Sequence, residues 1–395
     1  MTPKIAIVIE RADTALGGAE RSVFELAAAL SARGLHADIL AAKGRTKAKN
    51  IHILCADTPG KRTSYAAFEN AIRKHLSQNH YDIIHSVLPF DFADVYQPRG
   101  GTYAESILRN AASYQSKVIE YYKKLTTFAN VRRTRLLHAE RKLCSGPTGP
   151  VIAALSEYVT DQLKRHYGAD PRRIVVVPNG VKTDVRIDPK EADRLRTQIL
   201  TELRLKEADN PVLFLFAANN FRLKGLAPLI RAISAAAAKP TERKPFLVVA
   251  GHDRPHRYRR IAESLGIRGR VLFLGPVGHA YSILSVIDVA VLPTFYDPSS
   301  RYILEALAAG RPVITTKFNG AADLFADNRH GRIIDTPQDI PALAQAIGHF
   351  TDTNNIEQAS HAIIEDNLKE EISITRVADR LISLYESILQ RKTRK

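Results

Sequence analysis

Residues 288–323 read DVAVLPTFYDPSSRYILEALAAGRPVITTKFNGAAD. The run Val289 to Leu292 is apolar and β-branched, as a buried strand requires. A turn-rich FYDPSS follows, and then a compact helical pattern, RYILEALAA, closed by Gly310 with Pro312 just beyond. A second apolar strand, Val313 to Thr316, starts at once. The stretch therefore predicts a strand-loop-helix-strand unit with two acids in it. Asp297 falls in the loop past the first strand's carboxyl end, and Glu305 falls eight residues on, inside the helix. The backbone amides of Ser299, Ser300 and Arg301 are expected to point out of the helix N-terminus, where they and the helix dipole favour a phosphate. An anion cradle flanked by acceptors for hydroxyl groups suits a sugar nucleotide. The same pattern also occurs in α/β proteins that bind nothing there, with the acid merely complementing the dipole.

An acid, seven residues, Glu305, then ALAAGRPVITT and NGAAD resembles the signature of retaining GT-B glycosyltransferases, specifically glycosyltransferase family 4. The resemblance implies a contact from Asp297 to the donor sugar and from Glu305 to the ribose, with the intervening amides on the diphosphate. The first acid is Asp297 where the family usually has Glu, so its reach is one methylene shorter.

With 395 residues the chain exceeds what a single core usually serves, and two domains are expected. Hydrophobic and charged fractions of 45% and 25% are those of an ordinary globular protein. No apolar run reaches the ~18–20 residues of a membrane span. KIAIVIE, near the start, is too short for a signal-peptide core and reads as a first buried strand. Cys55 and Cys144 alone make neither a disulfide framework nor a metal cluster, and they fit a reducing cytoplasm. A net charge of +16 favours an acidic partner, whether phospholipid headgroup, phosphorylated glycolipid or nucleic acid.

Along the first half, strand patterns (KIAIVIE, HADILAA, NIHILCA, DIIHSVL, VIAALS, RRIVVVPNGV) alternate with helical ones (AERSVFELAAALSARG, TSYAAFENAIRKHLSQN, EYVTDQLKRHYG). A charged stretch, 188–210, reads as a boundary helix, after which PVLFLFAAN, PFLVVAG and RVLFLG restart the alternation. Such alternation predicts parallel sheets covered on both faces. The expected fold is α/β, a GT-B arrangement of two Rossmann-like domains facing each other across a cleft. Residues 1–187 are the predicted acceptor domain, joined by a C-terminal helix over 374–395. Residues 188–373 are the predicted nucleotide-sugar domain.

In NNFRLKGLAPLIRAI, Arg222 and Lys224 follow a strand and so emerge at the carboxyl edge of the sheet. The family resemblance implies that this basic pair holds the donor diphosphate. Their cations then meet a charge that grows as the diphosphate leaves, which stabilises the transition state more than the ground state. LGGAERSVFELA resembles the family's N-terminal glycine-rich loop, where Gly17 and Gly18 admit a ligand close to backbone, followed by Glu20 and Arg21. His85 is expected at a strand end facing the cleft. Many family members carry H-x-H there, but Val87 occupies the second position, so that histidine's role does not carry over. DVYQPRGGTY, with Arg99, resembles an acceptor-side loop of relatives that build lipopolysaccharide cores.

Residues 117–142 interleave cations (Lys123, Lys124, Arg132, Arg133, Arg135) with Tyr121, Tyr122, Leu125, Phe128, Val131, Leu136 and Leu137. About half of those apolar residues are expected in the core, and the cations suit an anionic lipid surface. No RNA-binding module is recognisable, and no nucleic-acid partner is expected.

The reading is a retaining, metal-independent hexosyltransferase. It takes a nucleoside diphosphate sugar, a UDP-sugar first, and a lipid-linked or lipopolysaccharide-type glycan acceptor. It is placed peripherally at the cytoplasmic face of the membrane. The rivals are a non-catalytic basic glycan- or membrane-binding protein with a degenerate site, and a nucleotide-sugar epimerase.

Overall fold

In a computed structural model, the structure describes residues 3–13, 18–46, 48–56, 63–114, 116–126, 130–240, 243–278 and 280–394. The chain divides into two compact units. One comprises residues 1–111, 116–180 and 374–395, and the other 112–115 and 181–373.

The first unit runs β1 (Lys4–Ala12), α1 (Gly18–Ala32), β2 (His36–Gly44), β3 (Ile51–Ile53), α2 (Tyr65–Leu76), β4 (Ile83–Ser86), β5 (Val95–Tyr96), α3 (Tyr103–Ala112), α4 (Lys117–Thr126), α5 (Val131–Ser145), β6 (Val151–Ala154), α6 (Glu157–Tyr167) and β7 (Ile174–Val176). Its seven parallel strands lie in the order β3-β2-β1-β4-β5-β6-β7. The sheet strands are almost uninterrupted apolar runs because both faces are covered. The second unit holds α7 (Pro189–Leu203), β8 (Val212–Ala217), α8 (Leu226–Ala237), β9 (Pro245–Ala250), α9 (His256–Ser264), β10 (Val271–Gly275), α10 (Ala280–Leu284), β11 (Val289–Leu292), α11 (Arg301–Ala308), β12 (Val313–Thr316), β13 (Gly331–Ile334), α12 (Ile340–His349), α13 (Thr353–Glu365) and α14 (Leu368–Glu371). Its six parallel strands are ordered β10-β9-β8-β11-β12-β13. Val212 to Phe216 of the central β8 are completely buried.

In both sheets the order reverses beside the first strand, between β1 and β4 and between β8 and β11. Crevices at the carboxyl ends of such strands are where doubly wound sheets bind ligands. The last helix, α15 (Ile374–Thr393), returns to the first unit. Val377, Leu381, Leu384 and Tyr385 on one of its faces share a core with Val23, Leu26 and Leu30 of α1.

The helices of the basic stretch correct one expectation. No residue of α4 is buried. Tyr121, Tyr122 and Leu125 are 67%, 60% and 56% exposed and Val131 is 63% exposed, while Leu136 is buried and Leu137 packs half-buried against the core. Helical spacing was a poor guide here because an amphipathic face looks the same whether protein or another apolar phase covers it. Phe128 lies outside the described residues. Among the described residues, no helix is long and apolar enough to cross a membrane.

Candidate active site

The second unit assembles its site from two loops at the switch point. Past the end of β8, Phe221 donates its backbone N–H to Asp253 Oδ2 (2.8 Å), and Leu223 donates to Asn220 Oδ1 (3.0 Å). The loop then enters α8 through Gly225, whose φ is +83°. A Cβ at this position would lie 1.9 Å from the carbonyl oxygen of Pro293. Only glycine allows the approach, and the approach brings Lys224 to the loop that follows β11. Lys224 Nζ sits 2.6 Å from Asp297 Oδ2 and also donates to the carbonyl of Tyr296 (3.0 Å).

Asp297 is held from several sides. Its N–H donates to the Phe318 carbonyl, its own carbonyl accepts from Gly320 N–H (both 2.9 Å), and it forms a parallel bridge with Asn319. The loops after β11 and β12 are thereby one piece. On the helix, Glu305 is 7% exposed and lies 3.4 Å from Arg301 Nη2. Tyr302 donates its hydroxyl to the Leu215 carbonyl (2.6 Å), fastening α11 to β8. Arg222 stacks its guanidinium over the Tyr114 ring, 3.8 Å from the centroid, and donates to Ser113 Oγ.

The cradle of three backbone amides is corrected in part. Ser299 donates its N–H to Asp297 Oδ1 (3.2 Å), and Ser300 donates to Asn319 Oδ1 (3.1 Å). Two of the three amides therefore satisfy protein acceptors. Asn319 was visible only as part of the NGAAD string. Its side chain is completely buried, accepts from Ser300 and Ala321, and donates to Thr315 Oγ1 (2.9 Å). What the site presents chemically is two cation–carboxylate pairs, Lys224 with Asp297 and Arg301 with Glu305, and Arg222 two residues before Lys224 on the same loop. Such a set can neutralise a diphosphate and accept hydrogen bonds from sugar hydroxyls.

In the first unit, His85 does not face an open groove. It is completely buried in β4, with Nδ1 2.6 Å from the hydroxyl of Tyr385 on α15. Burial, with Arg99 nearby, pushes its pKa down to about 3, so the ring is neutral at ordinary pH. Arg99 follows β5 and donates to Ser22 Oγ on α1 and to Asn179 Oδ1 (3.1 Å) after β7. That brings three carboxyl-end segments of the first sheet together, a grouping with no local sequence signal. Gly17 lies outside the described residues, and Gly18 opens α1.

Comparison with known proteins accords with this geometry. Residues 16–185 match the family model "Glycosyltransferase Family 4", and residues 202–369 match "Glycosyl transferases group 1". The chain belongs to the GT-B glycosyltransferases of family 4. It is 23% identical over 327 residues to the lipopolysaccharide glucosyltransferase WaaG of Escherichia coli strain K12, covering 81% of this chain and 82% of that one. A D-inositol 3-phosphate glycosyltransferase of Corynebacterium glutamicum is 29% identical over 192 residues, 47% of this chain and 45% of that protein. The crystal structure of WaaG superposes with a TM-score of 0.72 at 21% identity, covering 95% of this chain and 98% of that one. Anabaena HepE in complex with UDP-glucose gives 0.71 at 16% identity, covering 98% of this chain and all of the other. The family match makes the chain an enzyme, a glycosyltransferase, and disfavours the non-catalytic rival.

Proposed function

We propose that the enzyme is a retaining, metal-independent hexosyltransferase that moves a sugar from a UDP-sugar to a lipid-linked or lipopolysaccharide-core-type glycan. The observation that carries the donor reading is Lys224 against Asp297 at the β8–β11 switch point, with Arg222 and Arg301 supplying further positive charge. In this reading Lys224 and Arg222 hold the diphosphate, Asp297 meets the sugar hydroxyls, and Glu305 accepts from the ribose. Ser299 and Ser300 shape the loop, and Arg301 contributes charge to the diphosphate. The HepE complex with UDP-glucose and the likeness to a lipopolysaccharide glucosyltransferase support the donor and acceptor classes. Retention is what the family implies. The route is front-side attack, with the departing phosphate taking the acceptor's proton while the cations stabilise it.

We assign the donor to residues 188–373 and the acceptor to 1–187 with 374–395, around Arg99. His85, buried, serves that face by fixing Tyr385 and not by contact. The exposed apolar residues of α4 beside Lys123 and Lys124 support docking at the anionic cytoplasmic face of the membrane. The test is a panel of nucleotide sugars with a lipid-linked glycan, followed by nucleoside diphosphate release and the anomeric configuration of the product. Release of UDP with inversion, or no release from any donor, overturns the reading.

A further inference from the structure

Arg222 is held by a part of the chain far from it in sequence. Ser113 lies 109 residues away, is 2% exposed, and accepts a hydrogen bond from Arg222 Nη1. The adjoining Tyr114 offers its ring face to the guanidinium at 3.8 Å. Residues 112–115 belong to the compact unit that contains Arg222, although the rest of α3 before them and α4 after them belong to the other. The sequence motif around Lys224 gives no sign of either residue.

We infer that Tyr114, with Ser113, is a positioning residue for Arg222, holding its guanidinium in the orientation that meets the donor diphosphate. The inference rests on the reading of Arg222 as a diphosphate ligand. A free arginine side chain loses much rotamer entropy when it binds a phosphate, and one already fixed loses less. An aromatic face attracts the cation through its quadrupole. The stack engages the plane of the guanidinium, whereas hydrogen bonding to a phosphate uses its in-plane edge. Tyr114 can thus steady Arg222 without competing for the donors that a diphosphate needs. A carboxylate partner would hold the arginine as firmly, but it would oppose the incoming anion.

The experiment is UDP titration by calorimetry, with turnover of UDP-glucose in parallel. Tyr114→Phe keeps the ring face and is expected to bind like the wild type. Tyr114→Leu keeps apolar bulk without that face and is expected to weaken UDP about fivefold, within the range of a cation–π contact. Ser113→Ala is expected to lose less, in the same direction. In an Arg222→Ala background, Tyr114→Leu should have no further effect on UDP, whatever its effect on melting temperature. Wild-type affinity in Tyr114→Leu overturns the inference. An equal loss with and without Arg222 also overturns it, because Tyr114 then acts elsewhere. Wild-type affinity in Arg222→Ala alone overturns the reading of Arg222 itself, a result read without any change at Tyr114.

Discussion

The ammonium of Lys224 and the carboxylate of Asp297 neutralise one another at 2.6 Å, on two loops that Gly225 brings together. In the proposed reading an arriving diphosphate competes with Asp297 for the same cation. Asp297→Asn removes the competitor but also weakens the grip on the sugar. UDP, which has no sugar, is expected to bind the variant a few-fold more tightly, while turnover of UDP-glucose falls by about tenfold or more. Parallel losses of UDP affinity and turnover would show that Asp297 supports the nucleotide and not the sugar.

Lys224→Ala should lower kcat as well as affinity, because its contact strengthens while the diphosphate departs. The loss is expected to be about 100-fold in kcat/KM, roughly 2.7 kcal/mol. EDTA should change wild-type turnover little. If EDTA abolishes activity and Mg²⁺ restores it, the phosphate charge is met by a metal and Lys224 has been assigned too much.

Glu305→Gln is expected to cost about 2 kcal/mol of nucleotide affinity, the scale of a charge-assisted hydrogen bond to a hydroxyl. Glu305 is buried beside Arg301, so the thermal midpoint must be measured alongside. Unchanged UDP affinity in calorimetry removes Glu305 from the site.

Glu140 on α5 is completely buried and accepts from Tyr96 and Tyr167 hydroxyls (2.7 and 2.5 Å) and from Tyr103 N–H (2.7 Å). Burial outweighs those bonds and raises its pKa from 4.5 to about 7. A carboxyl raised on folding stabilises fully below its unfolded value. That contribution is lost as pH climbs through the folded one, here up to about 3 kcal/mol between pH 4.5 and 7. Glu140→Gln cannot ionise, so its melting temperature should fall less than the wild type's across that window. Identical slopes in thermal scans at a series of pH values would reject the assignment.

Neutralising Lys123, Lys124, Arg132, Arg133 and Arg135 together should release the protein from anionic vesicles in flotation. Each cation contributes up to about 1 kcal/mol near the surface. Lys124 is paired with Glu120 and Arg132 with Glu10, so those two should contribute less than the exposed Arg135. Replacing Tyr121, Tyr122 and Leu125 by serine should remove a salt-resistant part of binding. Equal flotation of wild type and both variants would refute membrane docking through α4 and α5.

The strands were legible wherever parallel pairing buries both faces. Val289–Leu292 and Val313–Thr316 have the bounds their apolar runs predict. The helix α9 was passed over because HRYRRIAES is strongly cationic, although Tyr258, Ile261 and Ala262 stand at helical spacing and pack on the core. A two-residue strand such as β5 has no periodicity to detect. At the site, Lys224 and Asp297 came together as expected from strand ends. The fates of the Ser299 and Ser300 amides were not foreseeable, because Asn319 reaches one of them from another strand's loop. Local spacing shows what an N-terminal turn offers; it does not show which distant acceptor has taken the offer.

Asn319 also precedes a glycine, the dipeptide context in which asparagine most readily deamidates through attack of the following backbone nitrogen. In the folded enzyme that nitrogen, Gly320 N, donates to the Asp297 carbonyl at 2.9 Å, and the Asn319 amide is fixed on Thr315. Attack therefore requires both of those bonds to break first. Native packing thus sets the chemical ageing of this loop, and intact mass after long incubation would report how often the two loops part.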